Sequence, residues 1–440
     1  MRRMTLTTAV ATVGAVALLT SGCLSSGSST SSGDKSGGTA KTTVQIMFGF
    51  GNDQTQGFKD SLDPWAKKNN IKIDYIQASA FDTQIRAAVA GNNAPDIALF
   101  PQPGLLKDIA KQGKLQPLAD VLDMPKLEAS VVPGFLDAAT VDGKRYGVPV
   151  SMNIKSLVFY NKPAFTKAGY QIPKTIDELL TLGDKIKASG TAPWCIGLEA
   201  GSATGWPGTD WIEELVLKQA GPDVYDKWVA GEVKFEDPPI KAAFDTYAKI
   251  ALTKGNVFGG SKSIVSQAFG TAANPMFTKP PGCFLHKQAN FVTQKGFLPE
   301  AVRANIDTDL GVFQFPKGEF DTVEGGGDLA ALFTKGDTNV TKVLKYITED
   351  PTFGAPWAGP SDRGFLSPHK DFDVSKYGTE TTRGIAKIAY TATGIRFDGS
   401  DSMPATVGAG SFWKGMVAFT SGQQDLAATL KKIDESWPKS

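Results

Sequence analysis

The sequence predicts an α/β protein of two lobes joined by three chain crossings, each lobe a mainly parallel sheet flanked by helices. Three observations lead there. Residues 43–100 repeat a strand–helix–strand rhythm. Gly147–Lys162, GVPVSMNIKSLVFYNK, is an irregular approach to a buried strand. Two later stretches, Gly325–Phe333 and Pro356–Arg363, break the chain in the same manner.

The first element is an export segment. Arg2 and Arg3 form a positive start, and Ala9–Leu19 is an apolar run too short to span a bilayer as a stable helix. Leu19-Thr20-Ser21-Gly22-Cys23 closes it and resembles the bacterial lipobox, in which small residues precede a cysteine that is lipidated and becomes the mature N-terminus. Thr20 departs from that pattern, which has Leu there. An ordinary cleaved signal with an incidental cysteine is the alternative. Arg2-Arg3 is also similar to a twin-arginine signal, so the export route stays open. Residues 24–42, LSSGSSTSSGDKSGGTAKT, have almost no apolar content to bury. A Ser/Gly tether of about 20 residues reaches roughly 25 Å.

Beyond it, Thr43–Phe48 alternates as a strand and Gly49–Gln54 reads as a loop. Phe58, Leu62, Trp65 and Ala66 share a helical face, with a kink expected at Pro64. Ile71–Ile76 is a second strand, Ile85–Ala90 a helix, and Asp96–Phe100 a third, buried strand. This spacing implies a parallel, doubly covered sheet, and ligands of such sheets sit outside the carboxyl ends of the strands. Those ends are Gly51–Gln54, Ala80–Asp82 and Pro101–Pro103.

Pro149 lacks a ladder N–H, so an interior strand should not run through it. Leu157–Tyr160 is a β-branched and aromatic run, and Thr175 with Glu178 forms a capping box for a helix to Ala188. Helices follow near Trp211–Gln219 and Pro239–Leu252, then a strand at Leu310–Phe315. Gly325-Gly326-Gly327-Asp328 leads into the buried run Leu329–Phe333, and Asp425–Trp437 closes the chain as a helix. The expected lobes are residues 43–150 with 327–358, and 155–322 with 362–440. Two cysteines remain, Cys195 and Cys283, and in an exported protein an even pair reads as a disulfide. Closing a loop of about 90 residues is worth roughly 4–5 kcal/mol in the chain-entropy account.

Composition excludes several functions. With 46 basic and 45 acidic residues in 440, there is no basic surplus for nucleic acid. The two histidines, His286 and His369, stand far apart without a neighbouring carboxylate or cysteine at metal spacing, which supplies neither a zinc site nor a Ser–His–Asp triad well. There is no G-x-S-x-G elbow; Gly255–Ser263 is one residue off a phosphate-binding loop, and Gly49-Phe50-Gly51 lacks the third glycine of a dinucleotide fingerprint. No cofactor and no metal are expected.

Four passages carry a family resemblance: APDIALFPQPGLL at 94–106, GVPVSMNIKSLVFYNK followed by KTIDEL, ATGWPGTDWIEEL at 203–215, and MPATVGAGSFWKGMVAFTSGQ at 403–423. They resemble the extracellular solute-binding proteins of bacterial ABC sugar importers, the family that includes maltose-binding protein, and the 203–215 passage is similar to its α-glucoside branch. The resemblance implies a periplasmic-binding-protein-like fold whose lobes close on a sugar. Its implied partners are an α-glucoside, the transporter's permease subunits, and the membrane only through the N-terminal lipid, with no nucleic acid and the chain a monomer on the outer face of the cytoplasmic membrane. An exported two-carboxylate glycoside hydrolase is the alternative, and an adhesive surface lipoprotein a third reading.

Sugars offer C–H faces to aromatic rings and hydroxyls to carboxylates, amides and Arg. Candidate contacts from the first lobe are Asn52, Asp53, Asp82 and Gln102. At the crossings stand Asn153, with Ile154 competing for its alignment, Asp328 and Arg363. From the second lobe come Trp206, Asp210 and Asp401, and Trp413 at the family's sugar-stacking position.

Overall fold

Two sheets organise the chain in the computed structural model, which describes residues 40–360 and 363–439. The apolar leader, Cys23 and most of the Ser/Gly tether lie outside these residues. Among the described residues no helix is long and apolar enough to cross a membrane.

The first sheet grows from the predicted rhythm. Strands β1 (Thr43–Phe48), β2 (Lys72–Gln77) and β3 (Ile97–Phe100) pair in parallel, with β1 in the middle. Helices α1 (Asn52–Lys68), α2 (Phe81–Ala90) and α3 (Pro103–Lys111) follow them. Pro64 lies inside α1, and Phe58 and Leu62 are fully buried from it. Each such side chain contributes about 1.5–3 kcal/mol by burial. Because α1 begins at Asn52, directly after Gly51, the loop expected over Gly49–Gln54 is cut short, and Asn52 and Asp53 open a helix instead.

After helix α4 (Met124–Ser130) and a small hairpin, β4 (Thr140–Val141) with β5 (Lys144–Arg145), strand β6 (Val148–Ile154) joins the same sheet. Pro149 lies within β6, against expectation. It is tolerated because β6 pairs on one side only, with β11 (Val323–Leu332), and Pro149 meets Leu329 where the register shifts. The glycine run is therefore inside β11 rather than ahead of it. A Cβ at Gly327 would sit 2.2 Å from the Ser151 carbonyl oxygen, so only glycine lets the two backbones approach.

The second sheet holds β7 (Leu157–Asn161), β8 (Ala192–Trp194), β9 (Cys283–Lys287) and β10 (Leu310–Gln314), in the order β10-β7-β9-β8. Here the mainly parallel expectation is corrected. β7 runs antiparallel to both β9 and β10, and only β8 with β9 is parallel. β9 follows a long segment of short turns, and β10 follows two short helices, Glu300–Ala304 and Ile306–Asp309, so neither is joined to β7 by a single crossover helix. Helices α5 (Lys162–Lys167), α6 (Ile176–Ala188) and α7 (Trp206–Gln219) belong to this region, and the Thr175 hydroxyl accepts the Glu178 N–H at 3.2 Å, as the capping box required. Along β7, Leu157 and Phe159 join the core shared with the first sheet while Val158 and Tyr160 enter the second core, the period of two that buries both faces. Cys195 and Cys283 are disulfide-bonded across β8 and β9, with Cα atoms 5.7 Å apart.

The crossings run side by side. Gly325 of β11 pairs with Ile154 of β6 on one side and with Phe397 of β12 (Ile395–Phe397) on the other. β12 thus runs beside β11, which pairs with β6, well beyond the expected stretch Pro356–Arg363. Pro356 lies in the short helix Ala355–Ala358, Gly359 and Pro360 follow it, and Phe365, Leu366, Tyr377 and Ile385 pack into the same core as the first sheet.

Candidate functional site

The strand-end loops Gly49, Ala78–Asp82 and Pro101–Gln102 face Ala203, Trp206, Asp401 and Trp413 across a cleft. Two connected compartments fill it. The outer one, about 450 Å³, reaches from Trp413 and Asp401 to Ser79, Phe81 and Asp82. The deep one, about 190 Å³, is floored by the crossings, through Asn153, Lys155, Gly326, Gly327, Asp328 and Asp398. Pro101, Gln102, Ala203, Asp401 and Trp413 line both.

Local sequence positions these groups. Gly205 has φ +117°, and a Cβ there would lie 2.3 Å from the Trp413 carbonyl oxygen. The glycine lets α7 start hard against the Trp413 backbone, which brings the two tryptophans into one compartment. Trp206 is braced edge-on by Phe269 and Phe291, at 4.9 and 6.0 Å between ring centres. The Trp413 indole N–H donates to the Ser400 hydroxyl at 3.3 Å. Asn153 lines the deep compartment, whereas Ile154 is fully buried in the core, which resolves their competition by the alternation of β6. Asp328 accepts from the Ser151 hydroxyl at 2.8 Å, and burial pushes its carboxyl up to about 6 despite that bond. Burial, reinforced by the neighbouring Asp398, holds Asp401 well above the usual carboxylate range. Gln102 precedes α3, and Asp82 is exposed at the rim, paired with Arg86 at 2.9 Å.

Four candidates stand elsewhere. Asn52 is exposed and meets Gln77 at 3.5 Å, and Asp53 sits in the first turn of α1; neither lines the cleft. Arg363 pairs with Asp60 of α1 at 2.7 Å. Asp210 is buried behind the cleft wall, 3.0 Å from Lys155. The histidines are structural. His286 is buried on the Cys195 carbonyl at 2.9 Å and pushed down to about 4 by burial, and His369 meets the Ser130 hydroxyl at 2.9 Å.

The sequence reading missed a buried ionic network behind the cleft. Lys155, from the first crossing, is bonded to Asp210 of α7 and to Asp398 at the end of the third. Ser156 donates to Glu214 of α7 at 2.9 Å and accepts the N–H of Glu324, from the second crossing, at 2.7 Å. Glu213 of α7 accepts the N–H groups of Gly399 and Ser400 at 2.7 and 3.1 Å. All three crossings are thus pinned to one helix. Lys287 completes the network, 3.4 Å from Glu324 and 3.6 Å from Glu214. Burial raises Glu213 and Glu324 well above the usual range. For Lys155 burial works the other way, but Asp210 and Asp398 hold its ammonium above its ordinary value. Asp210, Glu213, Glu324 and Asp398 bring oxygens within 4.8 Å of one another, and two lysine ammoniums already occupy the group, Lys155 on Asp210 and Asp398 and Lys287 on Glu324. Removing one partner of such a buried pair costs about 3–5 kcal/mol. The one available signal was a lysine inside an apolar strand run, IKSLVFY.

Comparison with known proteins agrees with this architecture. The family model for bacterial extracellular solute-binding proteins matches residues 51–352. The chain is 36% identical over 404 residues to the osmoprotective compounds-binding protein GgtB of Synechocystis, covering 90% of this chain and 92% of that one. It is 35% identical over 390 residues to the alpha-glucosides-binding periplasmic protein AglE of Rhizobium meliloti, covering 86% and 84%. Its fold matches maltose-bound MalE3 of T. maritima with a TM-score of 0.68 at 18% identity, over 89% of this chain and 98% of the other. The chain belongs to the bacterial extracellular solute-binding protein family.

Proposed function

We propose that the protein captures an uncharged sugar, an α-glucoside of disaccharide size or longer, in this cleft and delivers it to the permease of an ABC importer. The observation that carries the reading is the cleft itself. Trp206 and Trp413 flank a compartment rimmed by Asn153, Gln102, Asp328 and Asp401. Aromatic faces take the C–H side of a pyranose while amides and carboxylates take its hydroxyls. The name of the Rhizobium relative, an alpha-glucosides-binding protein, favours α-glucosides among sugars. We divide the lobes at the crossings, near residues 154–157, 315–323 and 395–399, and place the hinge there. The protein works as a monomer held to the outer face of the cytoplasmic membrane by a lipid on Cys23, and it binds without turnover.

Calorimetric titration with maltose, trehalose, sucrose and longer α-glucosides tests this. Saturable one-site binding to at least one, with the sugar recovered unchanged, is expected. Hydrolysis products would shift the reading to a glycoside hydrolase, and no heat with any sugar would remove it.

A further inference from the structure

Of the lysines buried in and beside the hinge network, Lys218 pairs with Glu214 at 3.7 Å, while Lys287 and Lys155 differ from each other in one respect. Lys287 is enclosed. Its ammonium donates to the Asp210 carbonyl at 3.0 Å, lies near Glu324 and Glu214, and lines neither compartment of the cleft. The Lys155 side chain is 8% exposed against 1% for that of Lys287, and Lys155 lines the deep compartment. Its ammonium sits 5.2 Å from the centre of the Trp206 ring and is bonded to Asp210 and Asp398. An ammonium carries three N–H donors and no acceptor. Two are taken by these carboxylates, and the third is left for whatever fills the compartment.

We infer that Lys155 is a ligand-contacting residue that gives this third N–H to a hydroxyl or ring oxygen of the bound sugar. The inference rests on the sugar-binding reading above. It also narrows the ligand. The charge of Lys155 is already matched by Asp210 and Asp398, while Asp328 and Asp401 stand in the same compartment without a lysine or arginine bonded to them. A neutral oxygen satisfies the free N–H without adding charge. A uronate or sugar phosphate would set a further anion against Asp398 and Asp328, which line the same compartment, so charged analogues are excluded although a lysine lines the site.

The test compares Lys155→Met with Lys287→Met, which remove the same group from the same network, against the sugars that bind the wild-type protein. Lys155→Met should weaken binding more than tenfold. Lys287→Met should lower the melting temperature and leave affinity within twofold. A series of monodeoxy sugars supplies the readout a purely structural lysine would not move. One deoxy position should lose affinity for the wild type, and the same deletion should cost Lys155→Met nothing further, the signature of a direct pair. If Lys155→Met does not fold, Lys155→Arg carries the test. It keeps the charge for both carboxylates, but its larger planar group projects into the 190 Å³ compartment and should also weaken binding more than tenfold. Wild-type affinity in the folded variant, or equal losses in the two methionine variants, would overturn the inference while leaving the sugar reading intact. Absence of any sugar binding to the wild-type protein would overturn both.

Discussion

The deep and outer compartments of the cleft are built from different parts of the chain. The deep one rests on strands and on α7: Asn153 and Lys155 follow from β6, Asp328 from β11, Trp206 from the first turn of α7, and all are backed by core or by the ionic network. The outer one is walled mainly by strand-end loops, and Asp82 at its rim is exposed. A group locked by its neighbours loses little entropy when it binds, whereas a loop side chain must be ordered first. The difference teaches where selectivity resides. On the proposed function, the deep compartment is expected to read one sugar ring and the outer one to accept whatever is attached to it.

The largest expected effect comes from the tryptophan that lines both. Trp413→Ala should weaken every sugar that binds by about 1–3 kcal/mol with the fold preserved, as calorimetry and thermal unfolding would show. Unchanged affinity would break the comparison, since neither compartment would then depend on the stacking face.

Asp328→Ala should follow, at about 1–2 kcal/mol, because a hydroxyl of the bound ring loses its acceptor at the deep floor. Its effect should be the same for short and long sugars, and dependence on length would blur the distinction between compartments.

A third effect is in pH. Folded Asp328 is pushed up from 3.8 to about 6, so between those values the folded state holds a proton that the unfolded chain has released. Stability contributed by this group is therefore present at low pH and falls as pH rises from about 4 to 6. Asp328→Asn should flatten that part of the melting-temperature profile. Asp210, also pushed up to about 6, should keep its own share of the slope. Sugar affinity should rise through the same window, because the ionised carboxylate is the stronger acceptor. A pH-independent affinity would argue that Asp328 does not meet the ligand.

The smallest effect is expected from the outer rim. Asp82→Ala should change the affinity of a disaccharide by less than about 0.5 kcal/mol, as for an ordinary exposed side chain, and only longer ligands should register it.

How much of this was legible in the sequence follows the same division. The first sheet could be read because its strands and helices alternate locally, and Gly147–Lys162 announced a crossing through its proline and its β-branched run. The antiparallel order of the second sheet could not be read, since it depends on Leu157–Asn161 meeting segments more than a hundred residues away, at Cys283–Lys287 and Leu310–Gln314. β12 is only three residues long, so the third crossing was expected at the more conspicuous glycines and prolines of Pro356–Arg363. Trp206, Trp413, Asp328 and Asp401, singled out by residue type and by their place in the crossings and family-like passages, all line the cleft. Lys155 escaped because its partners, Asp210 and Asp398, are 55 and 243 residues distant in sequence.

The central claim is that a sugar bound between the crossings and the strand-end loops draws the two lobes together, since a ligand shifts a conformational equilibrium only by preferring one state. Small-angle scattering of the wild-type protein, with and without a sugar whose binding calorimetry has established, tests this most directly. A smaller radius of gyration in the bound state is predicted, and identical profiles under saturating sugar would contradict the account.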